Sequence, residues 1–262
     1  MKAWTRRPEI GLSILLFIVI VGGWEWMVRL LDVPSIVLPP PSAIAVALAE
    51  SVQSRSFIFH LGVTLYEILA GFALGGVAGL LLGVLIGQSR LLEKTLYPYL
   101  VAFQSVPKVA IAPLFVIWFG FDAGSKIVIT ATVAFFPVLA NTIAGLRATP
   151  SDQIELMTAF TATRWQTFWA VRLPQALPYI AVGVDVGMMM AVIGAIVGEF
   201  VGAKAGLGFL ILQKNFSMDM AGVFAILIVL SAIGVGLHVL IQWLRRKLIF
   251  WVDGGTDGAA TG

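Results

Sequence analysis

Residues 58–87 read IFHLGVTLYEILAGFALGGVAGLLLGVLIG, a run of thirty positions with a single carboxylate, Glu67, and no lysine or arginine. A bilayer-spanning helix needs about 20 mostly apolar residues, so this run is long enough to cross and longer than a crossing requires. It either tilts or begins outside the membrane. Gly71, Gly75, Gly79, Gly83 and Gly87 recur at every fourth position, near one face of a helix. Small residues at that spacing let helix backbones approach closely in lipid. Close packing and a sliding interface both suit the row, and the pattern alone does not choose.

Five further stretches resemble the first: 10–31, 97–121, 127–146, 179–202 and 221–244. The stretch 97–121 contains Pro107, Lys108 and Pro113, and 179–202 repeats the glycine device at Gly183, Gly187, Gly194, Gly198 and Gly202. Composition agrees: 59% of the 262 residues are hydrophobic and 12% charged, against about 25% charged in a soluble domain. The expected class is all-α, a polytopic bundle of about six transmembrane helices. Its single domain spans 10–252, with a short N-terminal segment 1–9 and a polar, disordered tail 253–262. Lys2, Arg6 and Arg7 before the first stretch resemble the start of a signal peptide. The apolar run is too long for a signal core, however, and no small-x-small cleavage site follows, so it reads as an uncleaved first span.

Orientation follows from the basic residues of alternate loops. One set holds Lys2, Arg6, Arg7, Arg90, Lys94, Arg147, Arg164, Arg172, Arg245, Arg246 and Lys247; the other holds Arg29, Arg55, Lys126, Lys204 and Lys214. Eleven against five, with Lys108 inside a span, puts both termini in the cytoplasm. On the outer side, 32–57 carries the stiff turn Pro39-Pro40-Pro41-Ser42 and an amphipathic run, and 120–125 forms a tight turn. The largest cytoplasmic segment is 148–178.

That segment opens with Thr149 and Asp152 at capping-box spacing and Pro150 at the first helical position. A second short amphipathic run covers 164–172, which Leu173-Pro174 is expected to stop before the next span. Met157, Phe160, Trp165 and Trp169 form an apolar face on the cytoplasmic side, to be covered by lipid headgroups or by a partner's groove. The residues leave both open.

From Glu155 to Pro174 this loop resembles the cytoplasmic signature of ATP-binding-cassette importer permeases: Glu-Ala-Ala, three residues, Gly, then a run ending apolar-x-Leu-Pro. Glu155-Leu156-Met157 stands for the triplet and Val171-Arg172-Leu173-Pro174 for the ending. The motif's Gly falls on Thr161, which must bend less easily or reach the turn differently. The strings Val106-Pro107-Lys108-Val109-Ala110-Ile111-Ala112-Pro113-Leu114, Trp118-Phe119-Gly120, Ala134-Phe135-Phe136-Pro137, Gly198-Glu199-Phe200-Val201-Gly202-Ala203 and Gly206-Leu207-Gly208 resemble the nitrate/sulfonate/taurine-type branch. The resemblance implies a type I importer fold in a bacterial inner membrane. It also implies a second, identical permease subunit, two cytoplasmic ATPase subunits that use ATP and Mg, and an outer substrate-binding protein. The coupling contact to the ATPase would be Glu155, Leu156, Met157, Thr158, Ala159, Phe160 and Thr161, with Arg164 beside them.

The chain has no Gly-x-x-x-x-Gly-Lys-Ser/Thr phosphate loop, so no bound cofactor is expected. No metal-ligand set or nucleophile–base constellation stands out. Cysteine is absent, which excludes disulfides and thiol chemistry, and the scattered basic residues give no footing for nucleic-acid binding. Ionisable groups in spans usually face the bundle interior or water. Lys108, Asn141, Asp185 and Glu199 are therefore the candidates for a translocation path. Lys108 could draw an anion, reach the interface or pair with Asp185. Asp185 and Glu199, about 21 Å apart along an ideal helix, could line the path or pair structurally, and Asn141 could line it or bridge helices. His60, Glu67 and His238 are given no role.

Overall fold

In the computed structural model, which describes residues 8–249 and Trp251, every regular element among the described residues is helical. The elements are α1 Pro8–Leu30, α2 Pro41–Gln53, α3 Arg55–Gly87, α4 Arg90–Ser105, α5 Lys108–Phe119 and α6 Ala123–Arg147. There follow α7 Ser151–Ala159, α8 Arg164–Thr167, α9 Leu173–Gly202, α10 Leu207–Phe216 and α11 Met220–Leu248. The tail 253–262 and most of 1–9 lie outside the described residues.

Five helical stretches, containing α1, α3, α6, α9 and α11, are long and apolar enough to cross a membrane. The sixth crossing differs from a straight span over 97–121: α4 and α5 meet at 89°. Pro107 causes the break. A residue before proline is driven out of the helical region, and Val106 and Pro107 both adopt extended backbone. The twelve residues of α5 span about 18 Å, short of the roughly 30 Å hydrocarbon core. Glu93, near the start of α4, pairs with Arg147 at the end of α6. Beyond α5, the Phe121 and Asp122 carbonyls accept from Lys126 near the start of α6. The bent pair therefore runs from one end of the bundle to the other as a broken crossing.

The centre of the bundle is α6, held between α3 and α9. A Cβ added at Gly79 would stand 2.6 Å from the Phe135 carbonyl oxygen, and one at Gly83 would stand 2.6 Å from Thr142 Cβ. Gly71 meets Thr130, Gly75 meets the Ala131 carbonyl and Gly87 meets Leu146 in the same way. From the other side, Gly183 abuts Asn141 and Pro137, and Gly194 abuts Thr130. Both flanking helices thus give up side chains where α6 keeps its own. Dispersion contacts and backbone proximity hold such an interface, since lipid removes the hydrophobic drive.

The other helices pack less. α4 buries none of its residues, and α1 is largely exposed. Its Glu25 nevertheless accepts from the Ser42 backbone N–H at 3.0 Å and from the Ser42 hydroxyl at 2.8 Å. This caps α2, whose own N-cap, Pro40, has no side-chain acceptor.

Candidate functional site

At the end assigned to the cytoplasm by its basic residues, α7 starts at Ser151 with Pro150 as its N-cap and no side-chain cap. Thr149 does not form the expected capping box. It lies one residue too early, is buried, and sends its hydroxyl back to the Leu146 carbonyl at 3.4 Å. The capping box belongs to α8 instead, where Thr163 Oγ1 accepts from the Gln166 N–H at 3.2 Å and Gln166 Oε1 accepts from the Thr163 N–H at 2.8 Å.

Between these helices Thr161 carries a φ of 57°. Its N–H reaches the Thr158 carbonyl at 2.9 Å, and the Ala162 N–H reaches the Met157 carbonyl at 2.9 Å. That pair of bonds is a Schellman cap, whose left-handed residue is usually glycine. Thr161 therefore reaches the turn by adopting the left-handed backbone itself. Leu173-Pro174 does not stop the second run either. A π-helical turn, Phe168–Arg172, carries α8 into α9, and the Leu173 N–H bonds back to the Phe168 carbonyl. Widening the turn relieves the clash between the proline ring and the carbonyl four residues earlier.

α7 sets Leu156 and Phe160 outward, 57% and 74% exposed, with Glu155, Thr158 and Ala159 also exposed and Met157 half-buried. Trp165 and Trp169 are exposed, packed edge to face with centroids 5.5 Å apart, while Phe168 between them is buried. Gln175 ties α9 to Gln153 of α7 at 3.4 Å.

The intramembrane polar residues separate into two groups. Near the outer end, Glu199 of α9 is 1% exposed and accepts from the Thr64 hydroxyl at 2.6 Å and from the Gly208 N–H. Thr64 in turn accepts from the Leu207 N–H at 2.7 Å, and His60 Nδ1 accepts from the Gly206 N–H at 2.9 Å. Three side chains thus take three successive backbone donors of 206–208. Glu67, 2% exposed, lies against Glu199. Gly206 has a φ of 117°, and any Cβ there would collide with the Glu199 carboxyl. Lys126, 1% exposed, donates to the carbonyls of Phe121 at 2.5 Å, Gly202 at 2.9 Å and Asp122 at 3.2 Å. An ammonium has three donors, so Lys126 is fully used in tying the α5–α6 turn to the end of α9.

The second group lies further in. Asp185 does not pair with Lys108. Its Oδ1 is 2.7 Å from His238 Nδ1, and its Oδ2 accepts from Gln242 at 3.1 Å. Asp185 and His238 border a cavity of about 420 Å³ between α9 and α11. Lys108, half-buried at the first position of α5, donates across the helix break to the Gln104 carbonyl at 3.3 Å. Asn141 donates to the Pro137 carbonyl at 2.8 Å, one turn back, and packs against Gly183. The structure thus brings Glu199 together with residues that had no assigned role: His60, Thr64, Glu67 and Lys126. The signal for three of them was in the sequence, because His60, Thr64 and Glu67 fall at i, i+4 and i+7, a polar stripe on one face of an apolar helix. Among the described residues, no group of His, Cys, Asp or Glu side chains is placed to hold a metal ion.

Residues 75–250 match the family described as "Binding-protein-dependent transport system inner membrane component". The chain is 37% identical over 237 residues to the formylaminopyrimidine transport permease protein of Halalkalibacterium halodurans, covering 90% of this chain and 94% of that one. It is 35% identical over 239 residues to a putative aliphatic sulfonates transport permease protein of Bacillus subtilis, covering 91% and 87%. Among solved structures, an inward-facing conformation of the MetNI methionine ABC transporter matches with a TM-score of 0.60 and 25% identity, over 72% of this chain and 93% of that one.

Proposed function

The chain belongs to the family of binding-protein-dependent transport system inner membrane components, and from that premise we propose that it forms half of a path for a small anionic or polar organic solute. It is a multi-pass permease subunit of an ATP-binding-cassette importer, a transport component rather than an enzyme. In this reading two copies of the chain enclose the path in a bacterial inner membrane. Two cytoplasmic ATPase subunits, which use ATP and Mg, drive it, and an outer binding protein delivers the solute. The names of the relatives, which carry a pyrimidine derivative and aliphatic sulfonates, support the solute class. The exposed apolar positions Leu91, Tyr99, Ile117 and Trp118 of α4 and α5 support a second copy as their cover. Lys108 and Asp185 are the polar residues retained for the path, because Lys108 stands half-buried at the helix break and Asp185 borders the cavity between α9 and α11. Glu199 is instead buried against Thr64 and the Gly208 N–H, and Asn141 bonds within its own helix.

The observation that carries the reading is the outward face of α7. Leu156 and Phe160 stand exposed beside Glu155 on a short helix anchored to the spans at its other side. An amphipathic helix of this kind fits a partner's apolar groove, and that groove belongs to the ATPase. The contact comprises Glu155, Leu156, Met157, Thr158, Ala159, Phe160 and Thr161. ATPase closure pulls on α7, and the continuous α8–π-turn–α9 segment transmits the pull to the bundle.

The test is Glu155→Ala or Ala159→Glu in the assembled transporter in liposomes. Solute uptake is expected to fall while ATP hydrolysis persists, with membrane insertion unchanged. Normal uptake in both variants would remove α7 from the coupling path.

A further inference from the structure

Behind α7, on the side facing the spans, lies a cavity of about 490 Å³ whose polar wall is built by Gln88, Ser89, Arg90, Thr158, Arg164 and Arg172. The side chains of Arg90, Arg164 and Arg172 have no hydrogen-bond or ion-pair partner among the described residues. Arg147 stands close enough to Arg90 and Arg172 to repel both. The acid at hand, Glu93, is already taken by Arg147. Four guanidinium groups and one carboxylate leave a local charge of about +3, and none of the described residues fills the space between them. Guanidinium pairs bidentately with tetrahedral oxyanions, and phosphate is the anion its fork geometry suits.

The depth of the cavity selects the source. Gln88, Ser89 and Arg90 follow directly on Gly87, the last residue of the apolar α3, so the wall stands at the headgroup layer. Basic pockets between helices on the cytoplasmic side meet anionic lipids at this level. On α7 the cavity is bordered by Ile154 and Thr158, and of these only Thr158 also belongs to the contact assigned to the ATPase.

We propose that this cavity binds a phosphate-bearing anion, supplied by the headgroup of an acidic phospholipid in the adjoining leaflet. Bound there, the phosphate joins Arg90 at the start of α4 to Arg164 and Arg172 of the coupling loop, so that lipid braces the loop against the spans. This consequence for coupling rests on the function proposed for α7; the binding itself does not.

The test therefore reads binding without transport. The full chain is reconstituted in nanodiscs of phosphatidylcholine alone and of an equimolar mixture with phosphatidylglycerol, and its thermal midpoint is followed as phosphatidylglycerol is titrated. Wild type is expected to gain stability with the acidic lipid, and Arg90→Gln to need about tenfold more of it, the loss of one charge-assisted contact. The triple variant R90Q/R164Q/R172Q is expected to show no lipid-dependent shift. Arg90 lies outside the coupling loop, so its single variant decides the matter if the triple variant does not fold. Inorganic phosphate added to phosphatidylcholine nanodiscs separates the sources: an equal gain assigns the site to the free anion, and no gain assigns it to the lipid. Equal lipid-dependent gains in wild type and variants would overturn the proposal. It also falls if there is no gain from either source and the variants lose the ATPase in phosphatidylcholine alone, which would assign the arginines to the protein partner. A failed uncoupling test at Glu155 would leave these readings intact, so the two ideas fail separately.

Discussion

Lys126 at the outer end is 1% exposed and spends its three donors on three carbonyls, whereas Arg90, Arg164 and Arg172 at the inner end line an open cavity with no acid among them. Burial divides the backbone turns as well. The left-handed turn packed on Glu199 is carried by Gly206, where a side chain would strike the carboxyl. The one between α7 and α8 is carried by Thr161, whose β-branched side chain has space around it, as Asp32 and Met218 carry left-handed turns on exposed outer loops. The Lys126 ammonium is satisfied within one chain. The inner end keeps three arginines without a side-chain partner around one cavity, the feature of a surface finished by something else.

The largest effect is expected where charge is buried. Lys126→Met leaves three carbonyls without their donor and removes a positive charge that Glu67 and Glu199 feel. Breaking a buried charged network in this way costs about 3–5 kcal/mol. Chemical unfolding of the purified chain in detergent would measure it. A loss no greater than that of an exposed ion pair would erase the distinction between the ends.

Why the sequence revealed some of this and concealed the rest is physical. Hydropathy and the glycine row follow from local composition, so crossings and the faces that pack on α6 could be read from residues 58–87 and 179–202. The 89° break could not, because a window average over 97–121 is blind to direction even when Pro107 is in view. Lys126 sits beside a turn at the start of an apolar run, and there a lysine reads as interfacial. Its burial depends on Phe121 and Gly202, the second of them 76 residues away. The loop from Glu155 to Pro174 was legible through its motif, but Thr161 shows the limit of reading by residue type. Threonine there suggested a different turn, and the structure keeps the glycine-like turn with backbone strain in its place.

That strain gives the second prediction, opposite in sign. A non-glycine residue in the left-handed region costs about 1–2 kcal/mol, and β-branching does not lessen it. Thr161→Gly is therefore expected to stabilise the folded loop by about 1 kcal/mol, less the entropy that glycine adds to the unfolded chain. Slower amide exchange at Ala162 would report it. Faster exchange would mean that the Thr161 hydroxyl, which donates to the Phe160 carbonyl at 2.7 Å, matters more than the strain.

The smallest effect separates burial from charge at the outer end itself. Lys214 and Asp219 pair there at 2.7 Å, but their side chains are 41% and 38% exposed. Lys214 holds the Asp219 carboxyl below the usual aspartate value of 3.8, helped by the Gly222 N–H and opposed by partial burial. Because the folded value is depressed, the pair contributes stability above the unfolded value near 3.8, and that contribution is lost as pH falls through the folded one. Solvent screening limits it to less than about 1 kcal/mol. Asp219→Asn keeps an acceptor for the Gly222 N–H that caps α11 while removing the charge. Its stability should fall slightly short of wild type at neutral pH, with the two curves converging in acid below the aspartate range. A deficit as large as that of Lys126→Met would show that the outer end is held by charge wherever it lies, and burial would no longer explain the difference between the two ends.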